Sequence, residues 1–382
     1  MTLAARILCR VVDNFGDAGV CWRFARQLAR EHGWHVRLTI DRPELLARLG
    51  ARPGIDAGRG AIAVEHWSAD DSIARGDEDV LVSAFGAEPP PALRASLAGA
   101  PRQPLWVQLE FLSAEEWVVS HHGLRSTKPA DGAVEHFYYP GFDARTGGLL
   151  REAGLFDRRD AFVGSQQQRT WLSARGIVAE PGERLATLFC YPPAPIAAWF
   201  RLLAAGPTRW RVLVPEGVAD AALSAYFGRS PTVGQALRES NLAVQRVPFL
   251  PQDEYDQLLW SVDLNVVRGE DSWVRAQWAT RPFLWQPYPQ EVDTHLRKLR
   301  AFLHRLHGGS DVDEAMLACD EAMLACDEAM LAWSGHADWA RAWPAFDAHL
   351  DELRPRFARW SATLGRQDDL CTRFVEFCIE RL

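Results

Sequence analysis

Two stretches far apart in the chain place carboxylates and a glycine where a strand hands over to a helix. The first is Asp13-Asn14-Phe15-Gly16-Asp17, after an apolar run Arg6–Val12 and before Ala18–Leu28. The second is Arg268-Gly269-Glu270-Asp271-Ser272, between Leu264-Asn265-Val266-Val267 and Trp273–Trp278. Open α/β sheets bind ligands at the carboxyl ends of their strands. Carboxylates there can hold a cation or take a proton, and the positive end of the following helix suits a phosphate. Gly269 permits a tight turn and close backbone approach by a ligand. Asp271 or Ser272 is expected to serve as N-cap of the second helix. Ordinary structural roles compete with each assignment. Asp17 can cap its own helix, Asp13 can make an Asx-turn, and Glu270 with Arg268 can form a surface ion pair.

The elements that must position these turns follow from periodicity. Val20, Cys21, Phe24, Ala25 and Leu28 fall on one helical face, as a helix lying on a sheet requires. Strand-like runs recur at Val36–Ile40, Ile62–Glu65, Val80–Ser83, Leu105–Leu109 and His136–Tyr139, with helical segments between several of them. A second series runs Arg184–Tyr191, Trp210–Pro215, Leu242–Val247, Leu264–Val267 and Pro282–Trp285. This alternation predicts an α/β fold of two doubly wound, mostly parallel sheets. The boundary is expected near residue 180, giving domains 1–180 and 181–357, with a terminal helix within 358–382 returning to the first. Facing sheets would gather Asp13, Asp17 and Glu270 around one cleft, and Glu110 at a strand tip could join them. Phe189 and Tyr191 end the strand before Pro192-Pro193, where aromatics can stack on a flat ring or pack a core.

The 382 residues carry 42 basic and 50 acidic side chains, a net charge of −8, which argues against nucleic acid or an anionic membrane as partner. Seven cysteines without a Cys-x-x-Cys pair read as reduced, mostly buried thiols, and no apolar stretch reaches spanning length, so a cytoplasmic location is expected. A heptad beginning Asp313-Glu314-Ala315-Met316 recurs at Asp320 and Asp327. The insertion, 313–333, reads as a tolerated duplication lengthening a surface helix.

Asp13–Arg23, Leu109–Trp117, Phe189-Cys190-Tyr191 and Val267–Trp278 together resemble the bacterial protein-arginine rhamnosyltransferases that modify translation elongation factor P. The resemblance implies a GT-B glycosyltransferase with two Rossmann-like domains. It further implies metal-independent, inverting transfer of L-rhamnose from dTDP-β-L-rhamnose to one arginine of that factor, with no cofactor. Asp13, Asp17 and Glu270 match the family's essential carboxylates. Asn14, Phe15, Gly16, Asp17, Tyr191, Gln252, Arg268, Gly269, Asp271 and Ser272 match its donor contacts, and Phe189 and Tyr255 the aromatics near the thymine. Tyr255 stands where Phe is frequent, and the heptads are an addition.

Physical chemistry supplies roles for these groups. A guanidinium stays protonated, with a pKa above about 12. A carboxylate pair can orient it, and one acid can accept its proton as charge builds in the transition state. Asp17 is the expected base and Asp13 the positioning acid. Arg268 and the turn Gly269–Ser272 would stabilise the departing diphosphate, leaving Glu270 for a hydroxyl or the guanidinium. Asp311-Val312-Asp313 spells a metal-binding Asp-x-Asp but sits in a Gly/Ser-rich turn. Two rivals remain: a GT-B enzyme with a small or lipid-linked acceptor, and a non-catalytic assembly protein using the heptad helix.

Overall fold

The structure, a computed structural model, describes residues 2–13, 15–67, 73, 76–98, 102–129, 132–289, 294–308 and 320–382. Asn14, the first heptad and the Asp311–Asp313 spelling lie outside these residues. The chain divides into two compact units, one of residues 1–153 with 366–382 and one of residues 154–365.

The first unit is built on β1 (Ala4–Cys9), β2 (His35–Ile40), β3 (Ala61–His66), β4 (Val80–Ala84), β5 (Leu105–Leu109), β6 (Arg125–Thr127) and β7 (Val134–Tyr138). Their order is β3-β2-β1-β4-β5-β7-β6, all parallel except β6 against β7. The second unit contains β8 (Glu183–Leu188), β9 (Arg209–Pro215), β10 (Ala236–Glu239), β11 (Leu242–Val247), β12 (Leu264–Arg268) and β13 (Phe283–Gln286). Its order is β10-β11-β9-β8-β12-β13, with β10 alone antiparallel. Each parallel series therefore reverses direction once, between β1 and β4 and between β8 and β12. Those are the switch points where doubly wound sheets open a crevice at the strands' carboxyl ends. β4 and β12 flank them and are buried almost throughout, as strands covered on both faces must be.

The units divide earlier than residue 180 because the helices Leu155–Phe162 and Gln166–Ser173 pack on the second sheet. Phe162 meets Trp260 edge-on at 6.0 Å, Arg159 Nη1 donates to the Trp278 carbonyl at 2.7 Å, and Gln168 Nε2 donates to Ser261 Oγ at 3.1 Å. The helix Leu350–Gly365 stays there too, through Phe357 on Phe283 and Trp360 Nε1 on Gln277 Oε1. Only the last helix, Leu370–Ile379, belongs to the first unit. Its Phe374 meets Phe24 at 5.0 Å and Tyr138 at 5.1 Å, and its cap Asp369 accepts from Gln27 Nε2 at 2.8 Å.

The described part of the repeat, residues 320–333, forms a helix with one buried face rather than one lying exposed on the surface. In the helix Glu321–Trp333, Ala322, Met323, Ala325, Cys326, Ala329, Met330, Ala332 and Trp333 are buried. Equivalent positions of successive heptads face inward together, since a heptad drifts by only about 20°. Trp333 packs edge-on against Trp199 and Trp339, which closes the cover over that face. Met330→Ala should therefore cost about 2–5 kcal/mol in denaturant unfolding, while Leu324→Ala, at a position 47% exposed, should cost less than about 0.5 kcal/mol.

Candidate functional site

In the first unit the chain leaves β1 at Cys9 and enters α1 (Phe15–His32) through Arg10–Asp13. Asp17 is the third residue of that helix. Its Oδ2 reaches back to accept from both the Val12 and Asp13 N–H groups, each at 2.8 Å. This is the reach of a capping-box carboxylate, which satisfies donors that the helix start would otherwise leave orphaned. Both hydrogen bonds go to Oδ2. Asp17 is only 6% exposed, and burial holds its acid above the ordinary value against the pull of those two N–H groups, with the charge of Asp41 adding a smaller push. Asp41 follows β2 and accepts from the Val11 N–H at 3.0 Å, so a second carboxylate braces the same turn.

Asp13 is half-buried, and its carbonyl accepts from the Gly16 N–H at 2.7 Å. A Cβ at Gly16 would lie 2.7 Å from Asp13 Oδ2, so the glycine makes room for that carboxylate. Phe15 is half-buried at the helix start, under the Arg48 guanidinium at 5.1 Å.

In the second unit the turn after β12 is held from three sides. Gly269 has φ 60°, its N–H donates to the Gln286 carbonyl, and its own carbonyl accepts from Trp285 Nε1 at 2.8 Å. Trp285 stacks on Trp273 with centroids 3.5 Å apart, locking the helix Asp271–Trp278 onto β13. The N-cap residue is Glu270, which makes no side-chain cap bond, so the expectation of Asp271 or Ser272 there is corrected. Both already lie inside the helix. Ser272 Oγ instead turns back, accepting from the Arg268 N–H at 3.1 Å and donating to its carbonyl at 2.5 Å.

Arg268 spans the switch point. Its Nη1 donates to the Cys190 carbonyl at 2.8 Å, and its guanidinium lies 4.2 Å from the Phe189 ring centroid and 4.5 Å from that of Tyr191. β8 ends at Leu188, so these aromatics sit on the loop beyond the strand. Tyr191 is fixed by the Gln286 side-chain amide, which accepts from its N–H at 2.7 Å. Tyr255 meets Phe189 edge-on at 6.0 Å, and burial raises its phenol well above the usual value. Gln252, first residue of the helix Gln252–Trp260, donates to Asp271 Oδ2 at 3.3 Å, so two helix N-termini lie side by side.

Those helices are bolted together by a pair that periodicity does not reveal. Arg275 donates to both oxygens of Asp256, Nε to Oδ1 at 2.8 Å and Nη2 to Oδ2 at 2.6 Å, with both side chains buried. Asn265, in the middle of β12, accepts from Thr187 Oγ1 and donates to the Leu259 carbonyl. The second unit thus gathers Phe189, Tyr191, Gln252, Tyr255, Arg268, Gly269, Glu270, Asp271 and Ser272 at one sheet edge. Asp13, Phe15, Gly16 and Asp17 gather at the corresponding edge of the first.

Two doubly wound units, each with a charged turn at its switch point, are the architecture of the GT-B glycosyltransferases. A spinosyn rhamnosyltransferase, SpnG, solved with thymidine diphosphate, shares the fold at a TM-score of 0.54 and 11% identity, covering 98% of this chain and all of that one. The profile of the elongation-factor P (EF-P) rhamnosyltransferase EarP matches residues 5–379. The chain is 41% identical to the protein-arginine rhamnosyltransferase of Pseudomonas putida and 42% identical to that of Pseudomonas aeruginosa, over 97% of both partners in each case. A structure described as the basis for EarP-mediated arginine glycosylation of EF-P aligns over the full length of both chains at 32% identity, with a TM-score of 0.70. This chain belongs to the EarP family of EF-P rhamnosyltransferases.

Two outcomes test the local geometry. Asp17→Asn keeps an acceptor oxygen for the Val12 and Asp13 N–H groups, whereas Asp17→Ala strands both at a cost of about 1–3 kcal/mol. The raised acid means that ionised Asp17 opposes folding once the pH exceeds its folded value, an opposition that fades as pH falls through that value. At neutral pH Asp17→Asn should melt no lower than the parent, and Asp17→Ala clearly lower. Breaking the buried pair with Arg275→Met should cost about 3–5 kcal/mol and weaken nucleotide binding, read by thermal unfolding with and without dTDP.

Proposed function

We infer that the protein transfers L-rhamnose from dTDP-β-L-rhamnose, with inversion, to an arginine side chain of elongation factor P. Family membership supports the acceptor and the reaction class. The observation that carries the donor side is Arg268, a cation fixed by a carbonyl and two aromatic rings beside the N-terminus of the Asp271 helix.

On this reading the diphosphate takes up the positive end of that helix and the Arg268 guanidinium as negative charge grows on the leaving oxygen. Phe189 and Tyr255 are the aromatic wall for the thymine, while Gln252, Asp271 and Ser272 set the turn that meets the diphosphate. Glu270, carrying a charge that diphosphate would repel, is assigned to a sugar or ribose hydroxyl or to the incoming guanidinium. No metal is assigned a role. Among the described residues no helix is long and apolar enough to cross a membrane.

The acceptor side uses Asp13 and Asp17. Carboxylates can hold the guanidinium edge by charge-assisted hydrogen bonds and turn one nitrogen toward the anomeric carbon. The C–N bond forms as the C–O bond to dTDP breaks, and dTDP departs with the electron pair. The attacking nitrogen becomes acidic in the transition state and its proton passes to Asp17. A buried acid with a raised pKa is a stronger base than an exposed aspartate, which is the direction this step needs.

Intact-mass measurement of elongation factor P after incubation with the protein and dTDP-rhamnose should show one added deoxyhexose. Asp17→Asn should still bind dTDP but lose roughly 10²–10⁴-fold in transfer rate; transfer at the parental rate would refute Asp17 as base. The acid limb of kcat/KM should fall above the ordinary aspartate value of about 4. Asp41→Asn removes a like charge while keeping an acceptor for Val11, so that limb should move to lower pH.

A further inference from the structure

Cys9, Ala84, Leu109 and Tyr138 are successive register partners across β1, β4, β5 and β7, so these four strands end level. The segments leaving them form one row along the carboxyl edge of the first sheet. The Asp13–Asp17 turn comes after β1, Phe85 after β4, Glu110 and Phe111 after β5, and Tyr139 after β7.

Phe85 is the anomaly in that row. It has φ 55°, Gly86 follows with φ 76°, and the Ala87 N–H donates to the Ala84 carbonyl at 3.0 Å, closing a tight turn over two left-handed residues. Asn and Gly favour such positions, whereas a bulky side chain there is strained. Strain of this kind survives only when the surroundings enforce it, and it clusters at ligand clamps. Here the Phe85 N–H is tied to the Leu109 carbonyl at 2.8 Å, and its ring stacks on Phe111 with centroids 4.9 Å apart and planes 25° from parallel. Phe111 nevertheless keeps 41% of its surface exposed. A pair held at such backbone cost yet left open to solvent does not pack a core.

Acids lie along the same row: Asp13 and Asp17 on the turn after β1, the strand paired with β4, and Glu110 next to Phe111 in sequence. Phe85 leaves the sheet one strand spacing, about 5 Å, from β1. Carboxylates grip a guanidinium through the N–H groups in its plane, which leaves its two faces for an aromatic ring. We propose that the stacked Phe85–Phe111 pair is the seat for the acceptor arginine, its ring faces taking the guanidinium plane while the neighbouring acids hold its edge. The seat rests on the arginine-transfer reading above and adds the residues that position the acceptor.

The test is the initial rate of deoxyhexose addition to elongation factor P, by intact mass, across a range of acceptor concentrations. Phe111→Leu keeps an apolar side chain but removes the ring, and Phe111→Tyr keeps the ring. Phe111→Leu should raise the KM for the acceptor roughly tenfold, the size of a partly desolvated cation–π contact. Calorimetric affinity for dTDP should stay at the parental value, and Phe111→Tyr should restore the parental KM. A Phe111→Leu KM within about twofold of the parent, or equal losses in Leu and Tyr variants, would overturn the seat while leaving the transfer reading intact. A parent protein that adds no mass at all would overturn both.

Discussion

Each unit's sheet reverses its strand order once, and at that point two neighbouring strands send their chains to opposite faces. Doubly wound sheets open a crevice at the carboxyl ends of such a strand pair. Asp13, Asp17, Arg268 and Glu270 all sit where the chain leaves β1 or β12 and enters the following helix. The interior need only make those strands rigid. β4 and β12 are buried on both faces, and Asn265 within β12 is tied off by Thr187 and the Leu259 carbonyl. An unpaired amide in that position would cost more than its bonds return. Asn265 can stand in β12 because both ends of its amide have partners.

The two turns reach rigidity by opposite electrostatic routes. In the first unit a negative group organises the backbone: Asp17 collects the N–H groups that precede its helix, and Asp41 collects the next one. In the second a positive group is organised by the backbone, since the Cys190 carbonyl and two ring faces hold Arg268. A turn with a fixed positive charge and a turn with a fixed negative charge result from the same βα architecture. Which one forms depends on whether the fixed charge lies on the helix or on the strand. Arg275 and Asp256 reinforce the second arrangement from below, because a bidentate buried pair resists both sliding and rotation of the two helices.

The parallel strands and both turns can be read from the chain because their signal is local. Runs such as Val80-Leu81-Val82 are continuous and apolar, and the carboxylates lie within five residues of a glycine. β6 and β10 give no such signal for a physical reason: Arg125-Ser126-Thr127 and Ala236–Glu239 are short edge strands with mostly polar exposure, and nothing apolar alternates in them. The unit boundary falls earlier than periodicity suggests because an amphipathic helix announces that it covers a sheet, not which one. Tertiary contacts, Phe162 on Trp260 and the hydrogen bonds of Arg159 and Gln168, assign the helices at 155–173. The heptad helix is illegible in the same way. Its period is plain, but burial of Met323 and Met330 depends on which elements elsewhere in the chain pack on the helix.

Asp17 shows why a structural and a chemical role need not compete. A cap that spends Oδ2 on two backbone donors fixes the carboxylate plane, and with it the direction of Oδ1. An acid held in this way need not be reoriented when the proton arrives, so the entropy of positioning is met during folding rather than at the barrier. The same burial that makes the ionised acid unfavourable in the folded state also raises its affinity for a proton. Stability given up at the turn is therefore recovered as basicity. Replacing Gly16 would disturb both, because the space next to Asp13 Oδ2 is the space a side chain would take. The glycine leaves room for Asp13 next to Asp17, whose carboxylate two backbone N–H groups hold in place.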